Sequence, residues 1–198
     1  IVFGDWSSDV CSSDLVDPMH RGDATTLTEA IAAANPGDRI LVRRGIYNEE
    51  IVMDKPLEIV GEGKIGEVVV QTTGRTVLFF KTDVGSVSNL VLRQNGGGQY
   101  GIDITQGRLT LEGCDIYSRK SACVAIHNGA DPILRANRIH DGELVGVYIY
   151  DHGQGLLEGN DITGNALFGV EICDGGNPIL RANNIHDNQC GISIDRQG

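Results

Sequence analysis

Apolar positions in the C-terminal half of this chain recur every 23 residues. The run Pro132-Ile133-Leu134-Arg135-Ala136-Asn137-Arg138-Ile139-His140-Asp141 returns as Pro178-Ile179-Leu180-Arg181-Ala182-Asn183-Asn184-Ile185-His186-Asp187. A divergent copy, Gly155 to Gly164, lies midway between them. Leu111, Leu134, Leu157 and Leu180 share one column; Ile116, Ile139, Ile162 and Ile185 share another. A second segment of each coil reads Val124-Ala125-Ile126, Val147-Tyr148-Ile149, Val170-Glu171-Ile172 and, after a one-residue deletion, Ile192-Ser193-Ile194. Apolar, variable, apolar is the alternation of a half-buried strand. Leucine-rich repeats have a similar length, but their strands alternate with helical segments, and no 3.6-residue period occurs here. The pattern therefore predicts an all-β chain, a parallel β-helix of about seven coils of 22–23 residues, right-handed because parallel crossovers take that hand.

Between the Leu and Asn columns run Gly113, Ala136, Gly159 and Ala182. Leu134 and Asn137 both face inward, three apart, so the strand must bend between them, and a small residue suits that bend. Asn137, Asn160 and Asn183 then form an internal structural ladder, each amide bonding to the one about 4.8 Å away. Outside, Glu112, Arg135, Glu158 and Arg181 alternate in sign, as do Asp115, Arg138 and Asp161. Opposite charges on adjacent strands favour the correct register, which makes these columns register devices on a solvated face.

Upstream, Ile40-Leu41-Val42, Ile51-Val52-Met53, Leu57-Glu58-Ile59-Val60, Val68-Val69-Val70, Val77-Leu78-Phe79-Phe80 and Leu90-Val91-Leu92 read as further short strands. Turn residues such as Gly45, Gly61, Gly63, Gly74 and Asn95-Gly96-Gly97-Gly98 separate them. One helix is expected, Leu27 to Ala34, capped by Asp23 or Thr25 and ended by Pro36-Gly37. It would cover the N-terminal end of the stack, where unpaired backbone groups invite aggregation.

Residues 1–15 obey none of this grammar. Asp5-Trp6-Ser7-Ser8-Asp9-Val10-Cys11-Ser12-Ser13-Asp14-Leu15 resembles the translation of a sequencing-adapter oligonucleotide, so residues 1–15 are expected to be non-native and 16–198 to be a single β-helix domain cut short at its C-terminus. Further coils or fused domains are expected in the full-length protein. Setting Asp5, Asp9 and Asp14 aside lowers the net charge from −11 to −8. A net-acidic chain argues against nucleic acid, because phosphate neutralisation needs clustered Lys and Arg. No apolar run approaches the ~18 residues of a membrane span. Cys114 and Cys123 fall in inward or glycine columns and are expected to be buried, whereas Cys173 and Cys190 are expected to be more exposed; their spacing fits no zinc motif.

The pattern N-P-I-L-R-x-N-x-I-H-D followed by G-V-x-I resembles the right-handed β-helix repeats grouped with pectin-lyase-like folds, above all those of F-box-type ubiquitin-ligase receptors and their bacterial relatives. Leu27-Thr28-Glu29-Ala30-Ile31, Gly37-Asp38-Arg39-Ile40-Leu41-Val42 and Gly45-Ile46-Tyr47-Asn48-Glu49 are similar to the N-terminal cap and first coil of that carbohydrate-binding and sugar-hydrolase superfamily. The resemblance covers about residues 23–198 and implies the fold; its members mix lyases, hydrolases, esterases and binding modules. No F-box segment is present, so no ubiquitin role carries over.

The candidate chemistry is sparse. His140 and His186 lie two coils apart, roughly 9–10 Å, too far to share one metal ion, and each is expected to bond its neighbouring Asp or a turn backbone. Gly96-x-Gly98-x-x-Gly101 matches a dinucleotide fingerprint but runs into a strand, where the phosphate site needs a helix N-terminus. No metal or cofactor is implied. Asp151 and Asp174 share a column and could sit about 5 Å apart, within the range for a glycosidase acid pair. Tyr148, Tyr150, Glu171 and His152 would complete a shallow groove. The resemblance implies that catalytic members wall their cleft with long loops, yet the coils from 108 to 198 hold nearly constant length. The expected function is therefore a non-catalytic module whose rigid face binds a protein or polysaccharide ligand through Tyr148, Tyr150, Glu171 and His152. The alternative is a polysaccharide-active enzyme using Asp151 and Asp174. The looser spacing from 60 to 105 leaves room for an excursion that holds a site.

Overall fold

A computed structural model describes residues 13–19 and 21–195. Most of the segment expected to be non-native therefore lies outside the described residues. Three parallel sheets run the length of the molecule and close around one apolar interior. The first holds eight strands: Ser13–Val16, Arg39–Val42, Glu58–Gly61, Val84–Ser88, Arg108–Glu112, Ile133–Arg135, Leu156–Glu158 and Ile179–Arg181. The second holds Gly45–Asn48, Val68–Thr72, Val91–Gln94, Asp115–Ser118, Arg138–His140, Asp161–Thr163 and Asn184–His186. The third holds Ile51–Met53, Leu78–Phe80, Tyr100–Ile104, Ala122–Ile126, Val145–Ile149, Phe168–Ile172 and Cys190–Ile194. The chain visits the sheets in turn, giving a right-handed parallel β-solenoid of seven three-strand coils, with Ser13–Val16 adding an eighth strand to the first sheet.

Register follows the sequence columns. Leu111 pairs with Leu134, Leu134 with Leu157 and Leu157 with Leu180, while Ile116, Ile139, Ile162 and Ile185 align in the second sheet. The first three of each set are fully buried. The charged columns pair as expected, with Arg135 Nε 3.1 Å from Glu158 and Arg138 3.6 Å from Asp115. Val84–Ser88 has no alternation of apolar residues and is not readable as a strand from sequence; its pairing with Arg108–Glu112 makes it one. Gly45 and Gly61 sit at strand ends rather than in turns.

The helix spans Leu27–Ala33, and its N-cap is Thr26, not Asp23 or Thr25. Thr26 Oγ1 accepts from Glu29 N, and Thr25 instead donates to the Glu29 carboxylate. Glu49, from the first coil, accepts from the backbone N–H groups of Leu27 and Thr28 at 2.9 and 2.8 Å, satisfying free donors of the first turn. Lys55 Nζ donates to Ala34 O at 2.7 Å at the other end. Leu27, Ala30 and Ile31 bury against the stack.

Asparagine ladders hold the bend that the solenoid repeats. Gly113, Ala136, Gly159 and Ala182 all have left-handed backbone, φ 60°, 52°, 64° and 50°. That conformation aims the next side chain inward and leaves backbone groups without strand partners. Asn160 Oδ1 accepts from the Asn137 N–H and side-chain amide, both at 3.0 Å, and Asn160 Nδ2 donates to Leu134 O at 2.8 Å and to Asn183 Oδ1 at 2.9 Å. Asn137 and Asn183 repeat the pattern, and the ladder ends where Cys114 N donates to Asn137 Oδ1. A second ladder, unanticipated from sequence, follows the second sheet: Asn165 and Asn188 Oδ1 accept from the N–H groups of Gly142 and Asn165. Cys114 and Cys123 are buried beside these ladders, and burial pushes both thiols up to about 12.

Two stability outcomes follow from the bend. Asn160→Leu strands the Asn137 N–H and the Leu134 carbonyl in the interior and should cost on the order of 1–3 kcal/mol, read as a Tm lower by roughly 5 °C. Ala136→Gly relieves left-handed strain at an open position and should stabilise by about 0.5–1 kcal/mol, read as a higher midpoint in urea.

Candidate functional site

Alternation along the third sheet sends two columns of side chains outward. One is Val52, Phe79, Asp103, Ala125, Tyr148, Glu171 and Ser193, paired coil to coil. The other begins just past the strand ends and includes Lys81, Thr105, His127, Tyr150, Cys173 and Asp195, each donating its N–H to the coil before it. Strand pairing sets the two columns side by side.

Tyr148 and Tyr150 stack at 4.6 Å between ring centroids, and Tyr150 stacks on His127 at 4.7 Å with an interplanar angle of 13°. Tyr100 meets Tyr150 at a 45° tilt, 6.5 Å between centroids, with the two hydroxyls 3.3 Å apart. These rings roof over an apolar patch outside the solenoid interior, made of Tyr100, Ala122, Ala125 and Val145 with Phe168 at its edge. Ala125 occupies an outward position yet is fully buried, because the tyrosines cover it. The outcome is a shelf of three half-buried rings, His127, Tyr150 and Tyr148, anchored by the buried Tyr100.

Polar groups fix its edges. His127 Nε2 lies 2.8 Å from Asp103 Oδ1, and Gln99 Nε2 donates to the Tyr100 hydroxyl at 3.0 Å. Cys173 Sγ lies 3.4 Å from the Tyr148 hydroxyl. The bond to Cys173, then burial, raises the Tyr148 phenol above the ordinary tyrosine range; burial, then the Tyr100 bond, does the same for Tyr150. Both hydroxyls therefore stay protonated and can donate. Glu171 is raised above the usual carboxylate range, first by burial and then by Asp195.

Tyr100 and Asp103 also belong to a cleft of about 370 Å³ that continues the shelf toward the N-terminus, lined with them by Glu50, Val52, Arg75, Phe79 and Gln99. Arg75, Phe79, Gln99, Tyr100 and Asp103 fall in the stretch from 60 to 105, whereas Glu50 and Val52 come from the coil before it.

Tyr148, Tyr150 and Glu171 come together on this face, as their columns suggested. His152 does not join the ring stack: it lies exposed in the following turn, its ring against Gly175. Asp151 and Asp174 are exposed turn residues with left-handed backbone, φ 46° at each, in a column with Asn128 at 54°. Asn and Asp tolerate that conformation better than other side chains, which accounts for the column without chemistry. Cys173 is buried, not exposed as expected, because it tucks beside Tyr148. Sequence reasoning missed His127, which lies in the regular coils one column position from Tyr150, and Tyr100, Asp103 and Phe79, whose only signal was their place in the outward columns of the less regular coils.

The histidines of the second sheet form separate clusters. His140 sets Nδ1 2.7 Å from Asp141 and Nε2 3.1 Å from Asp115; His186 sets Nδ1 2.8 Å from Asp187 and Nε2 3.0 Å from Asp161. Each imidazole bonds its neighbouring Asp and a second one besides. Two carboxylates on opposite ring nitrogens favour the imidazolium, so both histidines are raised above their usual range, His140 mainly by Asp115 and His186 mainly by Asp187. Asp115 is correspondingly lowered, mainly by His140.

Residues 76–198 match a family described as a right-handed β-helix region. Over 55 residues the chain is 47% identical to the mouse F-box only protein 10, a segment covering 27% of this chain and 6% of that protein. Among solved structures, a pectin methylesterase mutant in complex with a hexasaccharide superposes with a TM-score of 0.63 at 14% identity, over 84% of this chain and 65% of the esterase. The ORF18 protein of Geobacillus virus E2 gives 0.61 at 13% identity, over 86% of this chain and 47% of that one. The Aspergillus niger pectin methylesterase gives 0.55 at 12%, over 90% and 84%. At these identities the structural likenesses establish the fold. No helix among the described residues is long and apolar enough to cross a membrane.

The His140 cluster generates a pH dependence. Its raised pKa contributes stability that is complete below about pH 6.5 and is lost as pH rises through the higher folded-state value; the lowered Asp115 contributes only above about pH 3.9. Wild-type Tm should therefore be higher at pH 6 than at pH 8.5, and His140→Gln should shrink that difference.

Proposed function

The chain belongs to the right-handed β-helix family, and from that premise we propose that it is a non-catalytic module whose third-sheet face binds a glycan chain. The observation that carries this reading is the stacked shelf of His127, Tyr150 and Tyr148 running into the Phe79 cleft. Tyr150 has His127 on one face and Tyr148 on the other, so a sugar chain meets the exposed edges of this stack with its C–H groups, and its hydroxyls pair with fixed acceptors and donors. Here the acceptors are Asp103 and Glu171, and the donors are the Tyr148 and Tyr150 hydroxyls. The shelf is ordered because strand pairing places Tyr148 and ring stacking holds Tyr150 and His127 against it, so little side-chain entropy is lost on binding.

The likeness to pectin methylesterases favours a second reading, a polysaccharide-active enzyme using Asp151 and Asp174. Neither residue lines the cleft, and both sit at exposed turn positions that recur coil after coil. These observations support binding over turnover.

Tyr148→Ala should weaken affinity for a bound oligosaccharide at least about tenfold, or ~1.4 kcal/mol, in isothermal titration, with the circular-dichroism spectrum unchanged. Tyr150→Ala removes a ring that touches three others and should lower Tm as well. Turnover of a glycan panel by the wild type, abolished in Asp174→Asn, would instead establish the enzyme.

A further inference from the structure

The charges around the shelf set a condition on its ligand. Among the described residues, the carboxylate beside Tyr148 is Glu171, its strand partner, and Asp174 lies next to the Cys173 thiol that meets the Tyr148 hydroxyl. The neighbour that perturbs Glu171 most, after burial, is Asp195, another carboxylate. At the cleft end the cations are Arg75 and Lys81. Arg75 sits against Glu50, whose carboxylate accepts from its backbone N–H at 2.6 Å, and Lys81 lies over the Phe79 ring at 5.9 Å to the centroid. Asp103 completes that end, fixed by its bond to His127. Among the described residues of this face, Arg75 and Lys81 thus lie toward the cleft end, where Glu50 and Asp103 accompany Arg75, and Glu171 stands beside Tyr148 at the other.

Resting on the glycan-binding reading above, we infer that this face is a charge filter, taking neutral polysaccharides and rejecting polyuronates. A chain of uronic acids carries a carboxylate on every ring. Laid across the edges of Tyr148 and Tyr150, such a ring sets its carboxylate beside Glu171, the strand partner of Tyr148, in a partly desolvated site where like charges repel more strongly than in water. A neutral ring offers only hydroxyls there, and hydroxyls donate to carboxylates. The half-buried Glu171 is then a specificity-determining acceptor: welcome to O–H, closed to O⁻. The chain's net charge of −11 adds a long-range repulsion of the same sign.

The test compares one oligosaccharide with and without its charge. Binding of the intact chain is measured by isothermal titration for hexagalacturonate, its fully methyl-esterified form, neutral cello- and xylohexaose, and hexaglucosamine, in 20 mM and 500 mM salt. The methyl ester should bind at least tenfold tighter than the free acid, and at least one neutral hexaose should bind with an affinity insensitive to salt. Glu171→Gln should narrow the gap between ester and acid at least threefold, by raising affinity for the free acid. Equal or tighter binding of the free acid overturns the filter, as does tightest, salt-sensitive binding of hexaglucosamine, which would mark a cation site. Binding of none of the five by folded protein overturns the glycan reading itself, a result distinct from failure of the filter.

Discussion

A left-handed bend between two inward-facing side chains is the constraint on which this solenoid depends. Each coil must turn from its first sheet into its second without losing the inward direction, and the backbone at Gly113, Ala136, Gly159 and Ala182 achieves this by adopting positive φ. Such a bend leaves an N–H and a carbonyl inside an apolar interior, where unsatisfied polar groups are costly. The carboxamide of the neighbouring coil answers both, accepting with its oxygen and donating with its nitrogen. One side-chain type fits because it carries an acceptor and two donors on a short stem and no charge. From Cys114 onward the stack repeats that solution coil after coil.

Much of this was legible in the sequence because a repeat constrains every copy at once. The Leu and Ile columns, the Asn ladder and the alternating charges could be read by aligning Leu111 to Leu180 and Asn137 to Asn183. Strands without a repeat partner were harder. Val84–Ser88 has neither alternation nor bulk, and its strand character comes from the coils on each side. The second ladder was invisible because its column contains Gly142 beside Asn165 and Asn188, so two asparagines in a turn looked like ordinary turn residues.

The face of the third sheet was half legible for a related reason. Tyr148, Tyr150 and Glu171 lie in the regular coils and were placed correctly. Tyr100, Asp103 and Phe79 lie where coil lengths vary, so their columns could be fixed only by the observed strand pairing. Ala125 shows what one-dimensional patterns omit. Its outward position predicts exposure, but its small size leaves room for tyrosines from adjacent coils to close over it. The same roof buries Cys173, which was expected to be exposed. Tyr150, touching three rings, is at once part of this outer packing and part of the shelf.

Near-identity between coils raises a problem of address: a segment such as Ile179–Arg181 could dock beside the wrong copy and find almost the same partners. Cys114 supplies an origin for the count. It stands at the head of the asparagine column with an N–H to give but no amide oxygen to offer, so the chain of carboxamides can stop there and nowhere else along Asn137, Asn160 and Asn183. The coil before it fills the same column with Leu90, which can neither give nor take a side-chain hydrogen bond. A single non-repeating residue thus numbers the rungs of an otherwise repetitive ladder, and a mis-indexed coil would declare itself by an unanswered amide in the dry interior.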